Sequence, residues 1–183
     1  MLPVHVHTDG RATLTGGPAT LGPPLDPEPY LVAAGLSEMD LAGPAVRMAG
    51  CGIEFPYVAG AAERRRAGRR DPCSRASPDV DVFSWDASRQ VAHARVFATG
   101  LGVPEDPATG SAALGLGVWL VGSGLLPGEG ESTYTVRQGI ELHRPVHLEC
   151  TVSAVDGQAV RVTVTGSVVP IARGEIAIPP FVG

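Results

Sequence analysis

Residues 4–8 and 11–15 alternate between outward and inward character around Asp9-Gly10, which predicts a β-hairpin closed by a tight turn. Short apolar runs at 44–49, 53–58, 80–85, 91–98, 132–138, 147–155 and 158–165 predict further strands, with a last one at about 167–178. In the run at 158–165, Val160, Val162 and Val164 alternate with Arg161, Thr163 and Thr165, the pattern of a sheet with one wet face. The Gly- and Pro-dense stretch 16–29 reads as loop, and 28–36 as a short helix stopped near Gly35. Residues 108–121 make the one long helix candidate. Its apolar residues go nearly all round, so it belongs inside something. Gly115 and Gly117 each cost that helix about 1 kcal/mol of propensity, which close packing of strands against it would explain. The expected fold class is α+β: a curved, mostly antiparallel sheet wrapped around one buried central helix.

Composition narrows the chemistry. The chain has 183 residues, of which 44% are hydrophobic and 18% charged, and it carries 24 Gly and 17 Pro. The turn residues sit between apolar runs, so the chain reads as a loop-rich globule and not as a disordered one. All 14 counted basic residues are Arg, because Lys is absent; Schiff-base, pyridoxal-phosphate and P-loop lysine chemistry are thereby excluded. A net charge of −5 argues against a nucleic-acid partner. The arginine-rich stretch within 61–78 has two readings, a phosphate or nucleic-acid patch and a solvated face in a flexible segment; the acidic balance and the Asp71-Pro72 break favour the second. Residues 112–126 are too short and too rich in Gly and Ser to span a membrane, and the first residues lack a secretory pattern. Cys51, Cys73 and Cys150 form no CxxC motif and read as free thiols in a cytoplasmic protein.

The candidate chemistry lies at residues 102–112, Gly-Val-Pro-Glu-Asp-Pro-Ala-Thr-Gly-Ser-Ala. Asp106 suits an N-cap and Pro107 a first helical position. The following amides, from Ala108 to Ser111, would then gather at the positive end of the buried helix. Gly110 and Ala108 let an anion approach the backbone, and Thr109 and Ser111 add hydroxyls. Such a turn receives carboxylates or phosphates. Of the adjacent acids, Asp106 is expected inward and Glu105 toward solvent or a backbone amide.

This stretch resembles the signature of the phenazine-biosynthesis PhzF-like family. The flanking Arg95-Val96-Phe97-Ala98, Gln138-Gly139-Ile140-Glu141 with Arg144-Pro145, and Val164-Thr165-Gly166-Ser167-Val168 with Ala172-Arg173-Gly174-Glu175 resemble that family too. The resemblance implies a diaminopimelate-epimerase-like fold of two similar lobes, each a sheet around a helix, with the ligand between them. It implies isomerases that move a proton on small carboxylic acids without metal or organic cofactor. Carried over, the resemblance implies that Asp106 is the catalytic acid lining the cleft, assisting proton transfer or holding a substrate hydroxyl or amine, and that Gly110 and Ser111, with the Thr109 amide, grip the substrate carboxylate. The family's main general acid/base is a glutamate in the other lobe, beside a Gly-His-Ala-Thr-like turn. Gly17-Pro18-Ala19-Thr20 resembles that turn loosely, with Pro18 in the histidine's place. Residues 1–183 are therefore expected to be a single lobe matching the C-terminal half, with the N-terminal lobe absent and the cleft completed by that lobe or by a homodimer partner. The alternative is a non-catalytic lobe that binds small carboxylates. Thr99 stands where the family commonly has proline and His143 where it commonly has glycine, so both loops are expected to depart from the pattern.

Other constellations are weaker. His5 and His7 share a strand face without a third metal ligand, and Pro145 prevents His143 and His147 from pairing along a helix. His93 reads as a sheet histidine or as a group at the cleft mouth. Cys51, between two glycines, looks exposed, but no cysteine stands at the helix tip, which disfavours a thiol racemase.

Overall fold

The computed structural model describes residues 2–60, 78–169, 171–175 and 177, so the arginine-rich stretch at 61–77 lies outside the described residues. Two helices are described, α1 (Glu28–Ala34) and α2 (Gly110–Gly122). The strands are β1 (Val4–Val6), β2 (Arg11–Thr15), β3 (Thr20–Pro24), β4 (Arg47–Gly50), β5 (Glu54–Ala59) and β6 (Val80–Asp86). They continue with β7 (Val91–Ala98), β8 (Val103–Asp106), β9 (Gly130–Gln138), β10 (Val146–Val155) and β11 (Gln158–Ser167). All join one sheet in the order β1-β2-β11-β10-β9-β7-β6-β5-β4-β3, with β8 added alongside β7. Only β5–β6 and β7–β9 pair in parallel. The α+β class and the mostly antiparallel sheet around a central helix are what the hydrophobic pattern implied.

Every residue from Ala112 to Val121 is buried, so α2 has no polar stripe. It packs against β3, β4, β5, β10 and β11, and Trp119 meets the Phe83 ring edge-on at 5.1 Å between centroids. Two buried tyrosines tie its first turn to the sheet: the Tyr57 hydroxyl donates to the Ala112 carbonyl and the Tyr134 hydroxyl to that of Ala113, both at 2.7 Å. The other face of the sheet carries α1, where Leu31 and Ala34 meet Val58, Val80, Val82 and Phe97. Gly35 stops α1 in the left-handed conformation at φ 68, as its position suggested.

Four local expectations need correction. Residues 20–24 are strand, not loop; β3 is an edge strand, where Pro23 and Pro24 remove no needed ladder bond. Beyond Ser167 the described residues form no strand; β11 ends where its partner β2 begins, with Ser167 opposite Arg11. The alternation in β11 breaks at Val160, which is 57% exposed: a bulge opposite Ser153 and Ala154 turns Ala159 toward the core instead. Cys51 is buried, not exposed.

Asp81, on the α2-facing side of β6, is 1% exposed and its Oδ1 has no hydrogen-bond partner. Burial therefore pushes its carboxyl well above the usual carboxylate range. The folded chain keeps a proton that the unfolded chain releases above about pH 4. Asp81 thus subtracts from stability increasingly as pH rises from there toward its raised folded value. Asp81→Asn is expected to raise the thermal midpoint more at pH 8 than at pH 4; an equal change at both would overturn this account.

Candidate active site

The α2 tip is built by three segments. β8 runs beside β7, with Asp106 in register with Val96, and so delivers Asp106 to the sheet edge next to the helix start. The chain then turns through Pro107 and Ala108 and enters α2 with Thr109 at the N-cap. The helix thus starts three residues later than an Asp106 cap would place it. The reason is local: Asp106 Oδ1 accepts the Ala108 amide at 3.3 Å, an Asx-type turn that holds the segment out of the helix. Gln138, at the end of β9 and 1% exposed, locks the arrangement. Its Oε1 accepts the Thr109 amide at 3.1 Å, and its Nε2 donates to the Asp106 carbonyl at 2.7 Å and to Thr109 Oγ1 at 2.9 Å. The Thr109 hydroxyl in turn donates to Asp106 Oδ2 at 2.7 Å.

This clamp decides which groups of the tip remain open. The Thr109 amide and hydroxyl are both committed inside the protein, so the tip is partly plugged by its own side chains. The first intrahelical bond runs from the Ala113 amide to the Thr109 carbonyl at 2.9 Å. The amides of Gly110, Ser111 and Ala112 precede it and carry the positive end of the helix dipole. Gly110 and Ser111 are half-buried. Sequence reasoning named Asp106, Thr109, Gly110 and Ser111, and the structure brings all four together. It missed Gln138 as the clamp; the signal available was a polar residue at an inward position of an otherwise apolar strand face, beside Tyr134 and Val136.

Glu105 and Asp106 do point apart, but Glu105 faces neither solvent nor a backbone amide. Arg95 grips it with two hydrogen bonds, Nε to Oε1 at 2.9 Å and Nη2 to Oε2 at 2.8 Å. Those bonds raise the Arg95 pKa further, against the opposing effect of burial. The guanidinium also lies 5.0 Å over the Phe97 ring. The pair braces the β7–β8 edge on the side opposite the clamp. His93 is a sheet histidine whose Nε2 lies 3.0 Å from Glu141 Oε1.

The loop after Gln138 explains the departure at His143. Gly139 has φ +74, and a Cβ there would crowd the carbonyls of Pro107 and Arg144. His143 itself adopts φ 56, the left-handed conformation that a glycine takes without strain. The Arg144 amide then closes the loop onto the Gly139 carbonyl at 2.9 Å. Thr99 begins a short 3-10 turn, Thr99–Leu101, that leads into β8. Burial pushes the Cys51 thiol up to about 11 and the Cys150 thiol to about 12, so neither is a thiolate at neutral pH. His7 donates to or accepts from Thr13 Oγ1 at 2.8 Å, and among the described residues no three His, Cys, Asp or Glu side chains gather as a metal site.

Comparison with known proteins agrees with this architecture. An uncharacterized isomerase of Escherichia coli (strain K12), YddE, is 38% identical over 85 residues, which span 46% of this chain and 29% of that protein. Its Salmonella typhimurium counterpart is 35% identical over the same length. The match therefore spans less than a third of the length of these relatives. Among solved structures, a PhzF-family phenazine biosynthesis protein of Bacillus anthracis superposes with a TM-score of 0.76 at 17% identity, covering 97% of this chain and 64% of that one. A protein of Pseudomonas aeruginosa described as a predicted epimerase gives 0.67 at 29% identity, covering 92% and 59%. The profile of the family described as phenazine biosynthesis-like protein matches residues 67–174, more than half of the chain, and the chain belongs to that family.

Proposed function

We propose that this chain is the C-terminal-type lobe of an isomerase or epimerase that moves a proton on a small carboxylic acid without metal or organic cofactor. The observation that carries this reading is the clamp of Gln138, Thr109 and Asp106, which fixes an acid beside the half-buried first-turn amides of Gly110 and Ser111. Those amides, with the Ser111 hydroxyl, receive the substrate carboxylate; Thr109 contributes by fixing the turn, since its own amide is occupied. Asp106 directs an oxygen or nitrogen of the substrate and takes part in the proton transfer. The second acid/base is a glutamate supplied from across the cleft, by a complementary N-terminal lobe or the second copy of a homodimer. The free thiols Cys51 and Cys150 fit a cytoplasmic setting. Among the described residues no helix is long and apolar enough to cross a membrane.

One observation favours a second reading, a carboxylate-binding lobe without catalysis. Both Asp106 oxygens already accept hydrogen bonds, from Ala108 and Thr109, which suits a positioning role. Deuterium incorporation separates the two. Incubated in D2O with a panel of 2-amino and 2-hydroxy acids, the protein is expected to catalyse a gain of one mass unit at the carbon beside the carboxylate. Asp106→Asn is expected to slow this by about a hundredfold or more, the scale of a lost acid/base group. Carboxylate binding without exchange, in the chain by itself and with a complementary lobe added, would leave the binding lobe as the function.

A further inference from the structure

We propose that the protein carries a second small-molecule site, separate from the α2 tip, for an organic anion with an aromatic or branched apolar body. The site is an open cavity of about 470 Å³ lined by Pro44, Trp85, Leu125 and Ile140 together with Arg89 and Arg137. None of Asp106, Thr109, Gly110, Ser111 or Gln138 lines it. The volume falls in the range of small-molecule pockets, and the combination of an apolar lining with a few convergent charges is typical of them.

Charge pairing around the cavity selects the ligand class. The His93 ring is held by Glu141, Nε2 to Oε1 at 3.0 Å. Arg89 is matched by Asp86, whose Oδ2 lies 3.8 Å from its Nε while Oδ1 accepts the amides of Ser88 and Arg89. Arg137 makes no hydrogen bond or ion pair among the described residues. Arg137 is therefore the lining cation without a partner in a largely apolar cavity. A neutral ligand leaves that charge unused. A carboxylate or sulfonate takes two parallel bonds from the planar fork of Arg137, and its body displaces water from Trp85 and Ile140. The site is also placed apart from the clamp by strand geometry. Arg137 and Gln138 are consecutive in β9 and project from opposite faces of the sheet, Arg137 in register with His93 and Gln138 beneath the helix tip.

Isothermal titration of the full chain with 2-naphthoate tests this. Saturable one-to-one binding is expected, weakened about tenfold or more by Arg137→Ala and by replacing the probe with neutral 2-naphthylmethanol, and unchanged by Arg161→Ala. Arg137 is exposed, so its removal leaves the core intact. Because the α2 tip is itself read as a carboxylate receptor, Ser111→Ala is titrated in parallel. Binding that falls with Ser111→Ala and not with Arg137→Ala places the probe at the tip and overturns the proposal. No saturable heat up to about 10 mM probe overturns it equally.

Discussion

Gln138→Leu is expected to lose about 3–5 kcal/mol of stability in urea titration, although leucine nearly matches glutamine in volume and creates no large void. The loss comes from what the side chain leaves behind. The Thr109 amide sits in a buried position and has the Gln138 Oε1 as its acceptor; without it, that donor pays the desolvation of an unpaired buried group, about 1–3 kcal/mol. The Asp106 carbonyl and Thr109 Oγ1 lose their Nε2 donor at the same time. Gln138→Glu isolates the donor half: its carboxylate still accepts from Thr109 but has no hydrogen for the Asp106 carbonyl, and it adds a charge near Asp106. It is expected to fold at low pH, where the acid is protonated, and to weaken as pH rises. A leucine variant within about 1 kcal/mol of the parent would mean that the clamp is incidental and that the turn holds itself.

How much of this could be read beforehand follows from the range of the interactions involved. The hairpin with Asp9-Gly10 was legible because turn chemistry is local; the same chemistry closes β10 onto β11, where Asp156 at φ 50 and Gly157 at φ 75 form the turn that such a pair favours. The interior position of α2 was legible because ten consecutive apolar or small residues leave no face for water. The start of α2 was not. Asp106 is a good cap by residue type, but β8 pairing with β7 keeps it in extended backbone, and a sheet pairing lies outside any local rule. Glu105 was misplaced for the same reason: its partner Arg95 lies on the adjoining strand and meets it only after β7 and β8 align. The Gln138 contacts, made across 29 and 32 residues, were equally out of reach.

Strand β3 and the bulge at Val160 show the complementary limit. Composition marked residues 20–24 as loop because two prolines forbid a central strand, yet an edge position tolerates them. Val160 fits the alternation by type, but the register slip opposite Ser153 and Ala154 reverses its face. In both cases the residue types were read correctly and the neighbours determined the outcome. The α2 tip is different, since its functional meaning rests on which amides stay open after tertiary packing. Those of Gly110 and Ser111 do, three residues further along than a cap at Asp106 would give, whereas Ala112 is already buried.

The second large effect lies in the helix itself. Gly→Ala inside a helix normally stabilises by about 1 kcal/mol through propensity. At Gly115 the opposite sign is expected, with a net loss of about 2 kcal/mol or more. A Cβ there would stand 2.9 Å from the Ala49 carbonyl oxygen and 3.1 Å from the Gly50 Cα, and would also strike the Tyr57 hydroxyl. Two of those three neighbours are backbone of β4 and have no rotamer to change. At Gly117 the obstructing atoms all belong to the Tyr134 ring and hydroxyl. Tyr134→Phe should therefore recover part of the Gly117→Ala loss, because it removes the closest atom, whereas Tyr57→Phe should recover little of the Gly115→Ala loss. Double-mutant cycles in urea measure the two couplings directly. A large coupling at 117 with a small one at 115 means that α2 is seated by the strand backbone at one glycine and by a tyrosine at the other. Equal couplings would mean that β4 gives way as easily as a side chain, and α2 would then lack the rigid seat that fixes its tip beside Asp106.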